Sequence, residues 1–222
     1  MNFIFDERSS DSPLVVRVWR THSEKASTFI SRATSQWEMV VTKHKSRTTF
    51  TVRGPETKAS QAPVPPEAEF LGIQFKLGTF MPYLPTQNRV NESLDLPEAS
   101  GNSFWLHGSA WQFPDFENAD TFIARLMRDG LLVYDPIVDA TLQGRPASVS
   151  LRSIQRRFVR ATGLTHGSIL QIERAHRSIT LLQQGVSIID TATQVGYADQ
   201  PHLTRSLKRF TGQTPAQIIR LR

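Results

Sequence analysis

The sequence predicts an α+β chain: a β-rich sandwich or barrel first, then an all-α domain in which two helix-turn-helix units are joined by a long linker helix. Three observations carry this. One short helical device occurs twice, 49 residues apart. The apolar spacing changes near Asn118 from alternation to steps of three and four. Basic charge also gathers on the helical side: residues 118–222 hold 14 Lys and Arg against 7 Asp and Glu, and the preceding residues hold 12 against 13.

Residues 1–12 carry acids and serines and read as a flexible tail. Residues 13–117 read as a β-rich domain. Strand-like runs cover Leu14 to Trp19, Trp37 to Thr42, Thr48 to Val52 and Phe70 to Phe75. Trp37, Met39 and Val41 alternate onto one face, as do Leu71, Ile73 and Phe75, and the polar Lys43 to Arg47 suits a hairpin connection. Gln61 to Glu67, with Pro63, Pro65 and Pro66, reads as a loop because proline lacks the N–H that a ladder needs. The remainder to Phe116 reads as irregular and aromatic.

From about Asn118 the spacing is helical, with Phe122, Ile123, Leu126 and Met127 on one side before Gly130. The domain boundary is placed there, giving a helical domain over 118–222. Asp135 and Pro136 cap a short helix with Ile137, Ala140 and Gly144. The repeated device follows. Ser150, Ile154, Arg156, Phe158, Arg160, Gly163 and Thr165 fall on Asp199, Leu203, Arg205, Leu207, Arg209, Gly212 and Thr214. Ser150 and Asp199 are N-cap types, and Gly163 and Gly212 suit the left-handed position that ends a helix. Leu151, Ile154 and Phe158 make an apolar stripe in the first copy, and Leu203, Leu207 and Phe210 in the second.

Between the copies, Ile169, Ile172, Ala175, Ile179 and Leu182 predict one helix over Thr165 to Gln184. Its length, about 30 Å at 1.5 Å per residue, approaches the roughly 34 Å between successive major-groove faces of B-form DNA. Ser187 and Asp190 stand at capping-box spacing before a shorter helix whose buried edge is Ile189, Ala192 and Val195. Gly196 and Tyr197 turn the chain into the second copy.

The run Ile188-Ile189-Asp190-Thr191-Ala192, with Val195-Gly196-Tyr197, Asp199-Gln200, Leu203-Thr204-Arg205, Lys208-Arg209-Phe210 and Gly212-Gln213-Thr214-Pro215, resembles the second DNA-binding motif of the AraC/XylS transcription regulators. Leu151 to Phe158 with Gly163-Leu164-Thr165 is similar to that family's first motif. Two departures mark the first unit: a turn lengthened by three residues through Arg145 and Pro146, and His166-Gly167 where the family often has proline. The resemblance implies a cupin-like sensor or dimerisation domain over 13–117, and a sequence-specific regulator that binds double-stranded DNA. It further implies a small-molecule effector, RNA polymerase as a partner, and a homodimer.

On the first repeat helix Arg152, Gln155 and Arg156 share one face. Guanidinium and carboxamide groups donate to or pair with guanine and adenine edges in the major groove. The corresponding positions in the second are Pro201, Thr204 and Arg205, with His202 beside them, so the two half-sites should differ. Arg157, Arg160, Lys208 and Arg209 are assigned to phosphates, where a cation adds affinity without sequence information. An ordinary solvated face is the bland alternative for each. Thr214, Pro215 and Gln217 begin a last helix.

There is no cysteine, which removes a disulfide framework, a Cys-ligated zinc and a cysteine nucleophile. His22, His44, His107, His166, His176 and His202 lack metal-ligand spacing, so neither a metal nor another cofactor is expected. No segment reads as membrane-spanning or as a signal peptide, and a cytoplasmic protein is expected. Trp37, Glu38, Phe104, Trp105, Trp111 and Phe113 can line an effector pocket, but core packing explains them as simply, and the effector-binding residues stay unassigned. Two rivals remain: a cupin-like metal enzyme carrying an accessory helical domain, and an architectural protein that binds DNA without sequence preference. The regulator reading needs no catalysis.

Overall fold

The computed structural model describes residues 4–85, 88–146 and 149–220. The chain runs β1 (Ile4–Arg8), β2 (Val15–Ser23), β3 (Ser27–Ser31), β4 (Glu38–His44), β5 (Arg47–Arg53), β6 (Ser60–Val64), β7 (Ala68–Phe75), β8 (Thr79–Phe80), β9 (Ser93–Asp95), β10 (Glu98–Ala99), β11 (Ser103–Leu106) and β12 (Ser109–Gln112). Then come α1 (Ala119–Arg128), β13 (Val133–Tyr134), α2 (Pro136–Leu142), α3 (Leu151–Thr162), α4 (His166–Gln183), α5 (Ile188–Val195), α6 (Gln200–Thr211) and α7 (Pro215–Arg220). Strands first and helices after is the expected α+β order.

A six-stranded antiparallel sheet, in the order β1-β2-β7-β4-β5-β9, faces a three-stranded sheet of β10-β11-β12. Aromatic rings fill the space between them. Phe50 stacks on Phe104 at 4.1 Å and Trp37 on Phe75 at 4.2 Å between centroids, while Phe122 of α1 meets Trp111 edge-on at 5.8 Å. Trp37 donates its indole N–H to the Thr79 carbonyl at 2.6 Å, which satisfies the polar end of a buried ring. On the opposite face of the large sheet the Trp19 ring lies on Gly72, where an added Cβ would come within 2.0 Å of the indole. Only glycine allows that ring to lie flat.

Three expectations for this half are corrected. The N-terminal segment is not a loose tail from residue 4 onward: β1 pairs with β2 from Ile4↔His22 to Arg8↔Val18. Arg8 then bonds the Phe116 carbonyl at 2.7 Å and pairs with Asp120 at 2.6 Å. Burial pushes the Asp120 carboxyl upward, but hydrogen bonds from Ser10 and Arg8 outweigh it and leave the pKa lowered. Residues 1–3 of the expected tail lie outside the described residues. Second, Ser60 to Val64 is a strand despite Pro63, because β6 pairs only with β3 in a two-stranded ribbon, and proline is tolerated where no second neighbour needs its N–H. Third, Ala119, Phe122, Ile123, Leu126, Leu131 and Leu132 belong to the same core as the strands. Packing therefore divides the chain after Leu132 rather than at 118, and α1 belongs with the sheets.

The second core gathers Phe158, Ile169, Ile172, Ala175, Ile179, Leu182, Leu203, Leu207 and Phe210. It also takes Ala33 and Phe80 from the β half. Main-chain bonds cross the same boundary: Ala33 N–H donates to the Phe210 carbonyl at 2.7 Å and Ala59 N–H to the Arg209 carbonyl at 2.8 Å. The last carbonyls of a helix have no partner within it, so the β3–β6 region supplies two of the donors that α6 lacks. Ser35 Oγ bonds Glu173 at 2.8 Å, and His176 Nε2 lies 2.8 Å from the Ala33 carbonyl.

Candidate nucleic-acid interface

The repeat read from the sequence is reproduced as two helices of equal length. Helix α3 has 12 residues, with the Ser150 side chain accepting from Ser153 N–H and Gly163 left-handed at φ 73°. Helix α6 also has 12, with Asp199 accepting from His202 N–H and Gly212 left-handed at φ 72°. Each capped end fixes where the helix starts, and hence which side chains occupy its first two turns. Pro201 sits in the first turn of α6, where no intrahelical bond needs its missing N–H.

Each of these helices has a partner that fixes its entry. Helix α5 is capped by Ser187, which accepts from Asp190 N–H, and ends at left-handed Gly196. Asp135 caps α2 by accepting from Ile137 N–H. The intervening α4 is a single helix of 18 residues capped by Thr165, which makes it about 27 Å long at 1.5 Å per residue. Its buried residues include Ile169, Ile172, Ala175, Ile179 and Leu182, all five of the predicted stripe.

Arg152, Gln155 and Arg156 are exposed on α3. The opposite side buries Phe158 completely, with its ring 4.9 Å from that of His166. Pro201, His202 and Arg205 are exposed on α6 and Thr204 is half-buried. Thr204 spends its hydroxyl on the Gln200 carbonyl at 2.9 Å, and His202 meets Tyr197 edge-on at 5.0 Å. Two stripe assignments are corrected. Leu151 is 79% exposed and Ile189 is 67% exposed: Leu151 opens its helix ahead of the core, and Ile189 faces outward while its neighbour Ile188 packs against the core.

The four expected phosphate cations separate in the structure. Arg157 pairs at 2.8 Å with Asp135, whose side chain is only 8% exposed, so it ties α3 to the cap of α2 and is not available to a phosphate without breaking that pair. Arg160 lies over the Phe80 ring at 5.1 Å. Lys208 and Arg209 are exposed. Arg209 borders a cleft of about 290 Å³ between α4 and α6 that also takes in Arg174, Arg205 and His202.

Arg174 was not anticipated from the sequence. Its guanidinium sits 5.5 Å from the Tyr197 ring centre and donates to the Gly196 carbonyl at 3.3 Å. Three guanidiniums thus share a cleft with no carboxylate in its lining, an arrangement whose mutual repulsion an anion relieves. The available signal was a cationic side chain, Arg174, set between the stripe residues Ile172 and Ala175 of the linker helix.

Residues 145–220 match a family model described as a helix-turn-helix domain, the segment over which the residues resemble the AraC/XylS regulators. The HTH-type transcriptional regulator RipA of Corynebacterium glutamicum is 36% identical over 77 residues, which are 35% of this chain and 22% of that protein. RipA of Corynebacterium diphtheriae is 35% identical over 71 residues, 32% of this chain and 21% of that one. The chain therefore spans about a fifth of the length of the curated relatives it matches. Among solved structures, ToxT from Vibrio cholerae aligns over 98% of each chain at 10% identity with a TM-score of 0.43. An unsaturated fatty acid-bound form of ToxT covers 96% of this chain and 97% of its own, at 10% identity and a TM-score of 0.40.

Proposed function

We propose that this helix-turn-helix chain is a sequence-specific DNA-binding transcription regulator of AraC/XylS type, in which one protomer reads two unlike half-sites. The observation that carries this is the pair of 12-residue helices, α3 and α6, each opened by a side chain that accepts an N–H three residues on and closed by a left-handed glycine, with the single helix α4 between them. Each presents a different set: exposed Arg152, Gln155 and Arg156 on one, exposed Pro201, His202 and Arg205 with half-buried Thr204 on the other. A rigid linker of about 27 Å suits entry of both helices into successive major-groove segments on one side of the duplex, so a palindromic operator is unnecessary.

Base reading by the first set rests on bidentate donors suited to purine edges. Lys208, Arg209 and Arg174 supply phosphate contacts, with Arg205 placed to serve either role. The β half acts as the regulatory element, sensing a small-molecule effector or dimerising, and RNA polymerase is the expected downstream partner.

Competition at fixed salt tests specificity. The purified chain should hold its best DNA site at least about 10³-fold more tightly than random duplex of the same length. Equal retention of both would make it an architectural binder instead.

A further inference from the structure

We propose that the cleft between the outer face of the six-stranded sheet and α4 binds a small hydrophilic anion, bearing carboxylate or phosphate, and that its occupancy reaches α6 through residues 31–34. The binding claim stands on the cleft alone; only its consequence for DNA rests on the reading given above.

The space between the two sheets is filled. Phe50, Phe75 and Phe104 are fully buried there, with Trp37 and Trp111 at 3% and 2% exposure. Room for a ligand lies elsewhere. A cleft of about 480 Å³ opens between the sheet and α4, within the size range of small-molecule sites. Its sheet wall carries Arg17 of β2 and Arg53 of β5, with Arg32 on the connection after β3; its helical wall carries His176, Thr180 and Gln183. Ile179 is the one large aliphatic side chain among the lining residues, so a hydrophobic ligand has little to pack against.

The charges in the cleft are incompletely matched. Arg17 is drawn to Glu7 at 2.9 Å, outside the lining, and also donates to Gln74 at 3.0 Å. Arg53 has Glu38 at 3.6 Å, and Glu56 accepts from Ser31 Oγ at 2.8 Å. Among the described residues Arg32 has no ion-pair partner, and it is exposed. Burial raises the pKa of Glu38, partly offset by Arg53 and by the Trp19 N–H. The other large cavity, about 490 Å³, differs in this respect. Its Arg20 pairs with Asp6 at 2.8 Å and its Lys43 with Glu69 at 4.0 Å, and its lining includes no residue of the helical half.

The segment that lines the cleft also bonds the recognition helix. Ala33 borders the cleft, donates its N–H to the Phe210 carbonyl at the end of α6, and lies with its carbonyl 2.8 Å from His176 Nε2 on α4. An anion held by Arg32 and the sheet arginines braces this segment. The Ala33 and Ala59 amides should then exchange more slowly, and by linkage α6 is held more firmly against the β half.

Calorimetric titration of the full chain with citrate and with inorganic pyrophosphate, against uncharged mannitol, tests this. At least one anion should bind, the one that does identifying the group, and mannitol should not. Arg32→Gln should weaken the anion about tenfold, the scale of losing a charge-assisted hydrogen bond, whereas Arg20→Gln in the other cavity should leave it unchanged. Exchange at Ala33 and Ala59 should slow in the bound protein. The proposal is overturned if neither anion binds, if Arg32→Gln binds as well as the parent, or if Arg20→Gln is the variant that loses binding. Absence of DNA binding would contradict the regulator reading but would not alter these outcomes.

Discussion

Phe158→Ala should lower the stability of the helical half by about 3 to 5 kcal/mol. The ring is fully buried at the centre of α3, backed by His166 at 4.9 Å and shared with Ile169 and Ile172 in one core. Truncation leaves a cavity, and α4 cannot close over it because its own buried stripe is fixed along its whole length. A loss of this size is a large share of the roughly 5 to 15 kcal/mol that stabilises an ordinary domain. Protection of the first half-site should disappear before that of the second, since α6 keeps Leu203, Leu207 and Phe210 in place. Leu151→Ala, seven residues earlier on the same helix, should change stability by no more than about 0.5 kcal/mol, as expected of a surface position. Denaturant unfolding of both variants with footprinting of the DNA checks this; equal costs for the two would mean that Leu151 is core after all.

That contrast marks what the sequence could and could not disclose. The caps Ser150, Asp199 and Ser187 and the left-handed glycines were legible because a helix end is decided within four or five residues. The faces of α4 were legible because Ile169 to Leu182 spans enough turns to fix its phase. Leu151 was misplaced because periodicity gives the direction of a side chain and says nothing about whether the neighbouring element extends that far, and Ile189 because an eight-residue helix is too short to fix which of Ile188 and Ile189 faces the core. Arg157 read as a free cation since its partner, Asp135, lies 22 residues away. The main-chain bonds that tie the β3–β6 region to Arg209 and Phe210 join residues more than 140 positions apart, and no local pattern announces such a pairing.

Arg156→Ala should cost about 1 to 3 kcal/mol on the best DNA site and relax preference mainly in one half-site. Arg156 is exposed beside Arg152 and Gln155 and has no ion-pair partner among the described residues, so its removal takes nothing from the fold. Arg209→Ala should behave differently. Its side chain lies over Phe210 at 5.0 Å and borders the arginine cleft with Arg174 and Arg205. Loss there should weaken all sequences alike and reduce the salt slope by about one counterion. Melting temperatures of both should stay near the parent's. If Arg156→Ala left the preferred sequence intact while Arg209→Ala altered a position in it, the helix faces would have to be exchanged, with Arg205 and Arg209 reading bases together.

Selection of bound duplexes from a random pool by the purified full chain tests the central claim most directly. Two helices of equal length, differently furnished and joined by one rigid helix, predict a motif of two unlike half-sites with centres about one helical turn, roughly 10 base pairs, apart. A pool that stays random after repeated selection, or that yields one continuous half-site only, would contradict the account.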